Sequence, residues 1–582
     1  MFTLIRYLKD YKKETILGPL FKMLEASFEL IVPLIMAQII DIGIQRGEMS
    51  YIWQRGGVLV LLGILGLICS LIAQYYAAKA SFAFGTELRK DLFAHIGTLS
   101  YDQLDKLGTS QLITSITTDI NHAQSGVNLV LRLFLRSPFI IIGALIMAFV
   151  VNIRVAWIFL AIVPVLAIII YSTMVISIPL FKKSQKQLNQ VLETTRENLL
   201  GIRVIRAFSK QKEELKVFEQ HTKRLKKIQL LANNISALLN PMTYIFVNIA
   251  VVLIIWYGGH QVDQGVITTG EVIALVNYMT QILIALVALA TLIVSVTRAQ
   301  ASAIRINEIL AQKPSMTDEN NQNQVALTGG YKIVFSKVTF SYSSASDHRV
   351  EPSLENITFA AKKGDIIGII GGTGSGKSTL VNLLSRFYDV TKGQILVDGI
   401  DVRKYPFKQL RDKIGIVPQK AVLFKGTIRE NMQYRQKDAT DEEIYHALEI
   451  AQALDVVKSK ANGLDEVLQQ GGTNLSGGQR QRLTIARALV GQPEILVLDD
   501  SASALDLTTD ANLWKSIKEN AGEMTVLVIS QRATTIKNAD YIIVLDDGKM
   551  VGYGNHDELL ENCEIYREIC LSQLSSEEVN KS

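Results

Sequence analysis

The chain has 582 residues, 48% of them hydrophobic, with a formal net charge of +5. Such apolar weight excludes a wholly soluble protein of this length, and so mild a charge does not point to nucleic acid. Three cysteines, Cys69, Cys563 and Cys570, are too few and too scattered for a disulfide framework or a metal site.

The start, Met1 to Lys13, sets Phe2, Leu4, Ile5 and Leu8 against Arg6, Lys9, Lys12 and Lys13, an amphipathic basic helix expected to lie on the cytoplasmic face of a membrane. It carries no cleavable signal. Six apolar segments follow, at 16–40, 57–76, 129–151, 155–176, 242–257 and 272–297. Each is close to the length of about 20 residues that crosses a bilayer, and six in series predict a multi-pass membrane region. The first contains Glu25 and Glu29, four residues apart and so on one helix face. Carboxylates at membrane depth are costly unless water, a cation or a ligand meets them, so a cavity preferring lipophilic cations is one expectation, and wetting by the cytoplasmic vestibule or neutralisation by Lys22 and another helix is the other.

The links at 152–154 and 258–271 are short, whereas 77–128 and 177–241 are long. The second long link carries Lys182, Lys183, Lys186, Arg203, Arg206, Lys210, Lys212, Lys223, Arg224, Lys226 and Lys227, which places the long links in the cytoplasm. Both read as helical extensions of the spans. A polar stretch, 312–330, with Pro314, Asp318, Glu319, Asn320, Asn321 and Asn323, reads as a linker.

Beyond it, the apolar strand 366–370 runs into Gly371-Gly372-Thr373-Gly374-Ser375-Gly376-Lys377-Ser378-Thr379 and a helical run, 380–387. Strand, glycine-rich loop and helix in that order form a P-loop, whose amides wrap phosphates while the lysine reaches the β- and γ-phosphates and the hydroxyl of Ser378 takes a place on Mg²⁺. Downstream stand Leu475-Ser476-Gly477-Gly478-Gln479, a helix rich in Ala, Leu and Ile, and an apolar strand ending at Asp499-Asp500.

This order of motifs resembles the nucleotide-binding domain of ABC transporters, and with the six spans the chain is similar to an ABC exporter half-transporter from its first helix to about Leu571. The resemblance implies an all-α membrane domain (1–311) with six spans and long cytoplasmic helical extensions, a linker (312–330), an α/β P-loop ABC ATPase domain (331–571) and a polar tail (572–582). It implies that Ser476, Gly477, Gly478 and Gln479 meet an ATP held by an opposite subunit, that Tyr342 stacks on adenine, that Gln419 and Asp499 join Ser378 at Mg²⁺, and that Ser503 to Asp506 cross to the partner. It also implies coupling helices at 118–121 and 208–212. No peptidase-like segment stands before the first span, an expectation against the peptide-maturing exporters.

Two positions depart from the family pattern. Asp500 stands where a glutamate serves as general base, drawing the carboxylate back by roughly 1.5 Å, and misplacement on that scale costs about a hundredfold in rate. Gln531 stands where a histidine bonds the γ-phosphate, and an amide cannot become a cation. The chain therefore resembles the degenerate subunit of heterodimeric bacterial multidrug exporters. The implied function is ATP-driven efflux of lipophilic compounds across a bacterial cell membrane, beside a second half-transporter that retains glutamate and histidine. Export of lipid or peptide, or a regulatory, ATP-gated subunit, are the other readings.

Overall fold

The computed structural model describes residues 2–316, 318, 330–342, 351–501, 505–520 and 522–573. It divides into two compact units, one formed by Met1–Thr98 with Leu107–Lys313 and the other by Leu99–Lys106 with the residues from Pro314 onward.

The first unit is all helix. Among the described residues, six helices are long and apolar enough to cross a membrane: Thr3–Ile44, Met49–Thr98, Thr109–Val151, Ile153–Leu200, Gln211–Asp263 and Thr269–Leu310. Each contains one predicted span and runs well past it. Helices of 42 to 53 residues rise about 1.5 Å per residue, roughly twice the thickness of a bilayer core, so the excess forms the predicted cytoplasmic extensions. The first and sixth spans join where the Asp41 carboxylate accepts from the Gly270 amide at 2.7 Å and from the Thr268 hydroxyl. Only glycine fits at 270, because a Cβ there would lie 2.3 Å from the Ala37 carbonyl oxygen. The third long helix is interrupted twice by wide turns, Ser115–Asp119 and Val130–Phe134, of the π type that is frequent at functional positions.

The first predicted coupling helix is corrected. Residues 118–121 lie inside the third long helix, ahead of its span, where buried Asp119 pairs with Arg305 of the sixth helix and Asn121 accepts from Arg89 at 3.2 Å. That segment ties helices together within the bundle. The helix held by the ATPase unit is α1, Tyr101–Leu107, whose residues to Lys106 belong to the second unit although they fall within the predicted membrane domain. The second turn is shifted too: the short helix is Ile202–Ala207, and Phe208 to Lys210 form the turn that ends it.

The second unit is built on three sheets. Strands β1 (Tyr331–Phe340), β2 (Leu354–Lys362), β4 (Lys392–Val397) and β5 (Ile400–Asp401) form an antiparallel sheet in the order β2-β1-β4-β5. The larger sheet has the order β12-β11-β3-β10-β9-β6, from β3 (Ile366–Gly371), β6 (Ile414–Val417), β9 (Ile495–Asp499), β10 (Thr525–Ile529), β11 (Tyr541–Asp546) and β12 (Lys549–Gly554). All its pairings are parallel except β11 with β12. A short pair, β7 (Gly426–Thr427) and β8 (Val467–Leu468), completes the set. Every residue of β3 and β10 is buried, as expected of central parallel strands covered on both faces. The carboxyl ends of β3, β9 and β10 lie side by side, the edge at which open α/β sheets take ligands.

Candidate functional site

The P-loop leaves β3 and enters α2, Lys377–Leu384. Its glycines have stereochemical reasons. Gly374 and Gly376 sit at φ +85° and +93°, and a Cβ on Gly371 would lie 2.0 Å from the Leu545 carbonyl oxygen. A side chain at these points would cost strain or open the loop. The Lys377 ammonium donates to the carbonyls of Gly371 at 2.9 Å and Gly372 at 2.6 Å and to the Ser375 hydroxyl at 3.3 Å. Burial lowers its pKa, opposed by the carboxylates of Asp500 and Asp499. A buried ammonium held over its own loop is well placed to exchange carbonyl partners for phosphate oxygens.

Next to it, the Ser378 hydroxyl donates to Asp499 Oδ1 at 3.2 Å. Burial raises the Asp499 pKa, the Ser378 hydrogen bond lowers it and the neighbouring Asp500 charge raises it further. No group of three or more His, Cys, Asp or Glu able to hold a metal occurs among the described residues. One hydroxyl and one carboxylate, both hard oxygen donors, are nevertheless the sparse set that Mg²⁺ uses when substrate phosphates and water complete its shell. Thr379, the next residue, meets the Tyr342 hydroxyl at 3.0 Å, and the Tyr342 ring stands edge-on to Phe340 and Tyr388. Tyr342 thus flanks the loop with a ring that is 46% exposed.

Asp500 follows β9 in a left-handed conformation, φ +47°, which aspartate tolerates better than most residues. Its amide donates to the Ile529 carbonyl at 2.9 Å, and Gln419 Nε2 donates to its Oδ2 at 3.3 Å. The carboxylate and the Gln419 amide are therefore brought together. Gln531 lies beyond the end of β10, and its carbonyl accepts from Gln573 Nε2 at 2.8 Å, while the Ala533 amide donates to Gln573 Oε1 at 2.9 Å. Gln573, the last residue of α3 (Glu564–Gln573), is the residue that sequence reading missed. It clamps the switch loop from a helix that carries no motif.

The signature forms a different corner. Ser476 caps a helix spanning Gly477–Leu489: its hydroxyl accepts from the Gln479 amide at 3.2 Å, and Gln479 Oε1 accepts from the Ser476 amide at 2.9 Å. This reciprocal cap fixes the helix start and leaves its remaining amides facing outward. A Cβ on Gly477 would meet nothing within 4 Å, so the space in front of the helix is open to a ligand from outside. Gly478 follows within the first turn. Ser503 and Ala504 lie outside the described residues; Asp506 caps the following helix by accepting from the Thr509 amide at 3.2 Å.

Helix α1 docks beside this machinery. The Tyr101 ring lies 4.6 Å from that of Phe387, and the Tyr388 hydroxyl donates to Asp105 at 2.5 Å. Burial, and then the Asp105 carboxylate, push the Tyr388 phenol well above its ordinary range, so it remains a donor at any physiological pH.

Comparison with known proteins agrees with this geometry. Residues 15–287 match the family described as ABC transporter transmembrane region, and residues 354–503 the family described as ABC transporter. The chain is 36% identical over 573 residues to the uncharacterized ABC transporter ATP-binding protein YfiB of Bacillus subtilis, covering 98% of each. It is 34% identical to the ATP-dependent lipid A-core flippase of Desulfotalea psychrophila over 82% of each chain. The solved structure of a bacterial Atm1-family ABC exporter with ATP bound shares the fold, with a TM-score of 0.79 over 97% of this chain and 99% of that one, at 23% identity. With six membrane helices and one cytoplasmic transport ATPase domain in a single chain, the protein belongs to the ABC transporter family as an exporter half-transporter.

Proposed function

We propose that this chain is the degenerate-site half of a heterodimeric exporter of lipophilic compounds, with residues 1–311 as the transport body and 331–571 as the ATPase. The observation that carries the reading is the coexistence of an intact P-loop and signature with Asp500 and Gln531 at the two positions that activate water. Gly371 to Thr379 and Tyr342 bind ATP, and Ser378, Asp499 and Gln419 hold Mg²⁺, which supplies charge neutralisation between the phosphates. Asp500 is too short to reach water as a general base, and Gln531 can donate a hydrogen bond but adds no charge. ATP is accordingly retained at this site rather than turned over. Ser476 to Gln479 complete the site of the partner half, where hydrolysis occurs, and alternating access follows from closing and opening of the pair. The exposed apolar tip of the turn between the fourth and fifth spans, with Leu199, Leu200, Val204 and Phe208 at 60 to 78% exposure, is surface of the kind a second chain covers.

The test is ATP turnover of the chain purified alone against the chain co-expressed with its partner half, for which we expect a rise of about tenfold or more. Equal turnover per site in a homodimer would end the heterodimer reading. Lipid export is a second reading, favoured by the likeness to the lipid A-core flippase; stimulation of the ATPase by lipids rather than by lipophilic dyes separates the two.

A further inference from the structure

The membrane-embedded charges stand as one of the sequence expectations has it, with Lys22 and another helix meeting the two carboxylates. Glu25 is paired with Lys22 at 2.6 Å, and Lys22 also donates to Ser70 at 3.2 Å. Glu29 is paired with Arg136 of the third span at 2.8 Å. Both carboxylates are neutralised within the chain, which removes the basis for a cation-selective cavity.

What remains is a surplus of positive charge. The second span has no charged residue between Arg55 and Lys79, the fourth none between Arg154 and Lys182, the fifth none between Lys227 and Asp263, and the sixth none between Glu271 and Arg298. The charged groups deep in the bundle are therefore Lys22, Glu25 and Glu29 of the first span and Arg132 and Arg136 of the third. Among the described residues, ion pairing consumes all but Arg132. This arginine lies on the wide turn Val130–Phe134, four residues before Arg136 and so on nearly the same face. The Nε–H groups of Arg132 and Arg136 and the Ser137 hydroxyl are buried without a hydrogen-bond partner among the described residues, as is Gln281 Oε1, whose own amide nitrogen donates to the Glu29 carbonyl at 3.3 Å. Three orphan donors, two of them on arginines and one of those arginines without an ion pair, call for an anionic oxygen, because a buried donor left unmet is unfavourable.

Depth narrows the ligand further. Counting back from the outer turn at Asn152 at 1.5 Å per residue, Arg132 lies about 30 Å in, at the inner boundary of the hydrocarbon. An acidic head held there would leave its tail among apolar side chains.

We propose that Arg132, supported by Arg136 and Ser137, forms an anion subsite that takes the acidic head group of an amphiphile, a phosphate, sulfonate or carboxylate on an apolar tail. The subsite rests on the efflux reading only in its place on a transport path; its binding chemistry is independent of it. The same acidic chemistry is offered by a membrane lipid and by a free amphiphile.

The experiment is equilibrium binding to the assembled transporter in phosphatidylcholine nanodiscs, with fluorescent phosphatidylglycerol for the lipid source, dodecyl phosphate for the free one and fluorescent phosphatidylcholine as control. Arg132→Gln is expected to weaken both acidic probes, or the one that binds, by about tenfold or more, with Arg132→Lys within a few-fold of wild type and the control unchanged. Glu29→Gln, which frees Arg136, is expected to act in the opposite direction and tighten acidic-probe binding. The proposal is overturned if Arg132→Gln leaves acidic-probe binding unaltered, if it weakens the control equally, or if it lowers recovery of the partner half instead, since Arg132 would then pair across the dimer. Should Arg132→Gln not fold, a Glu29→Gln protein that binds acidic probes no more tightly overturns it as well. Binding without ATP-driven movement of the probe counts against the efflux reading and leaves the subsite standing.

Discussion

At Asp500, one missing methylene and a left-handed backbone act together. The backbone is held in that conformation with the amide tied to the Ile529 carbonyl, so on the proposed reading the short reach of the side chain is not recovered by backbone movement. Lengthening it with Asp500→Glu and supplying the cation with Gln531→His should raise ATP turnover of this chain alone by about tenfold or more, measured as phosphate release. No gain from the double substitution would place the defect elsewhere. The signature behaves oppositely. Gly477→Asp puts a carboxylate into the open space before the helix, where an anion should dock, and should nearly abolish turnover of the assembled pair, while Asp500→Ala changes it by a few-fold at most. The reverse ranking, read from the same assay, would locate catalysis in this chain's own site.

Among the elements, α1 and α3 matter most and announced themselves least. The six spans and the P-loop were legible because each is written in local sequence, as an apolar run or as glycines where the backbone admits nothing larger. Docking of α1 was not, since the Tyr101 stack on Phe387 and the Asp105 bond to Tyr388 join residues almost 300 positions apart; residues 118–121 were mistaken for it because a polar run inside a helix looks like a surface. Gln573 was invisible for the same reason, and of the neutralisation of Glu25 and Glu29 the Lys22 half was legible in local sequence while the other half depended on where Arg136 falls. Gln573→Leu removes two hydrogen bonds from the switch loop and should speed ATP release by about tenfold, as followed by dissociation of a labelled nucleotide. A third junction joins the two sheets: Lys332 on β1 pairs with Asp398 and Glu494, and Lys413 pairs with the same two. Burial raises both carboxyl pKa values, but the two lysines outweigh it and hold them below their ordinary range. This stabilisation is complete above the unfolded carboxyl values of 3.8 and 4.5 and disappears as pH falls through the lower folded ones. Melting of the ATPase unit should weaken below about pH 4, with Lys332→Met costing about 1 kcal/mol at neutral pH and flattening that acid slope, because both carboxylates are partly wetted.

For the molecule as a whole, the helices run far beyond the bilayer and the ATPase unit includes eight residues, Leu99–Lys106, from between the second and third spans. Transport and ATP use therefore share a covalent segment, so Tyr101→Ala should leave basal ATP turnover within about twofold while suppressing its stimulation by transported compounds; an aromatic contact of this kind contributes about 0.5–1.5 kcal/mol. Full stimulation in that variant would mean that the signal passes by another route. The clamp at Gln573 also bears on how the protein is handled at the bench. Because the switch loop is held from the final described helix, a purification handle or fluorescent reporter fused behind it acts on the nucleotide site through one glutamine, and preparations labelled at opposite ends of the chain should differ in how long they keep ATP.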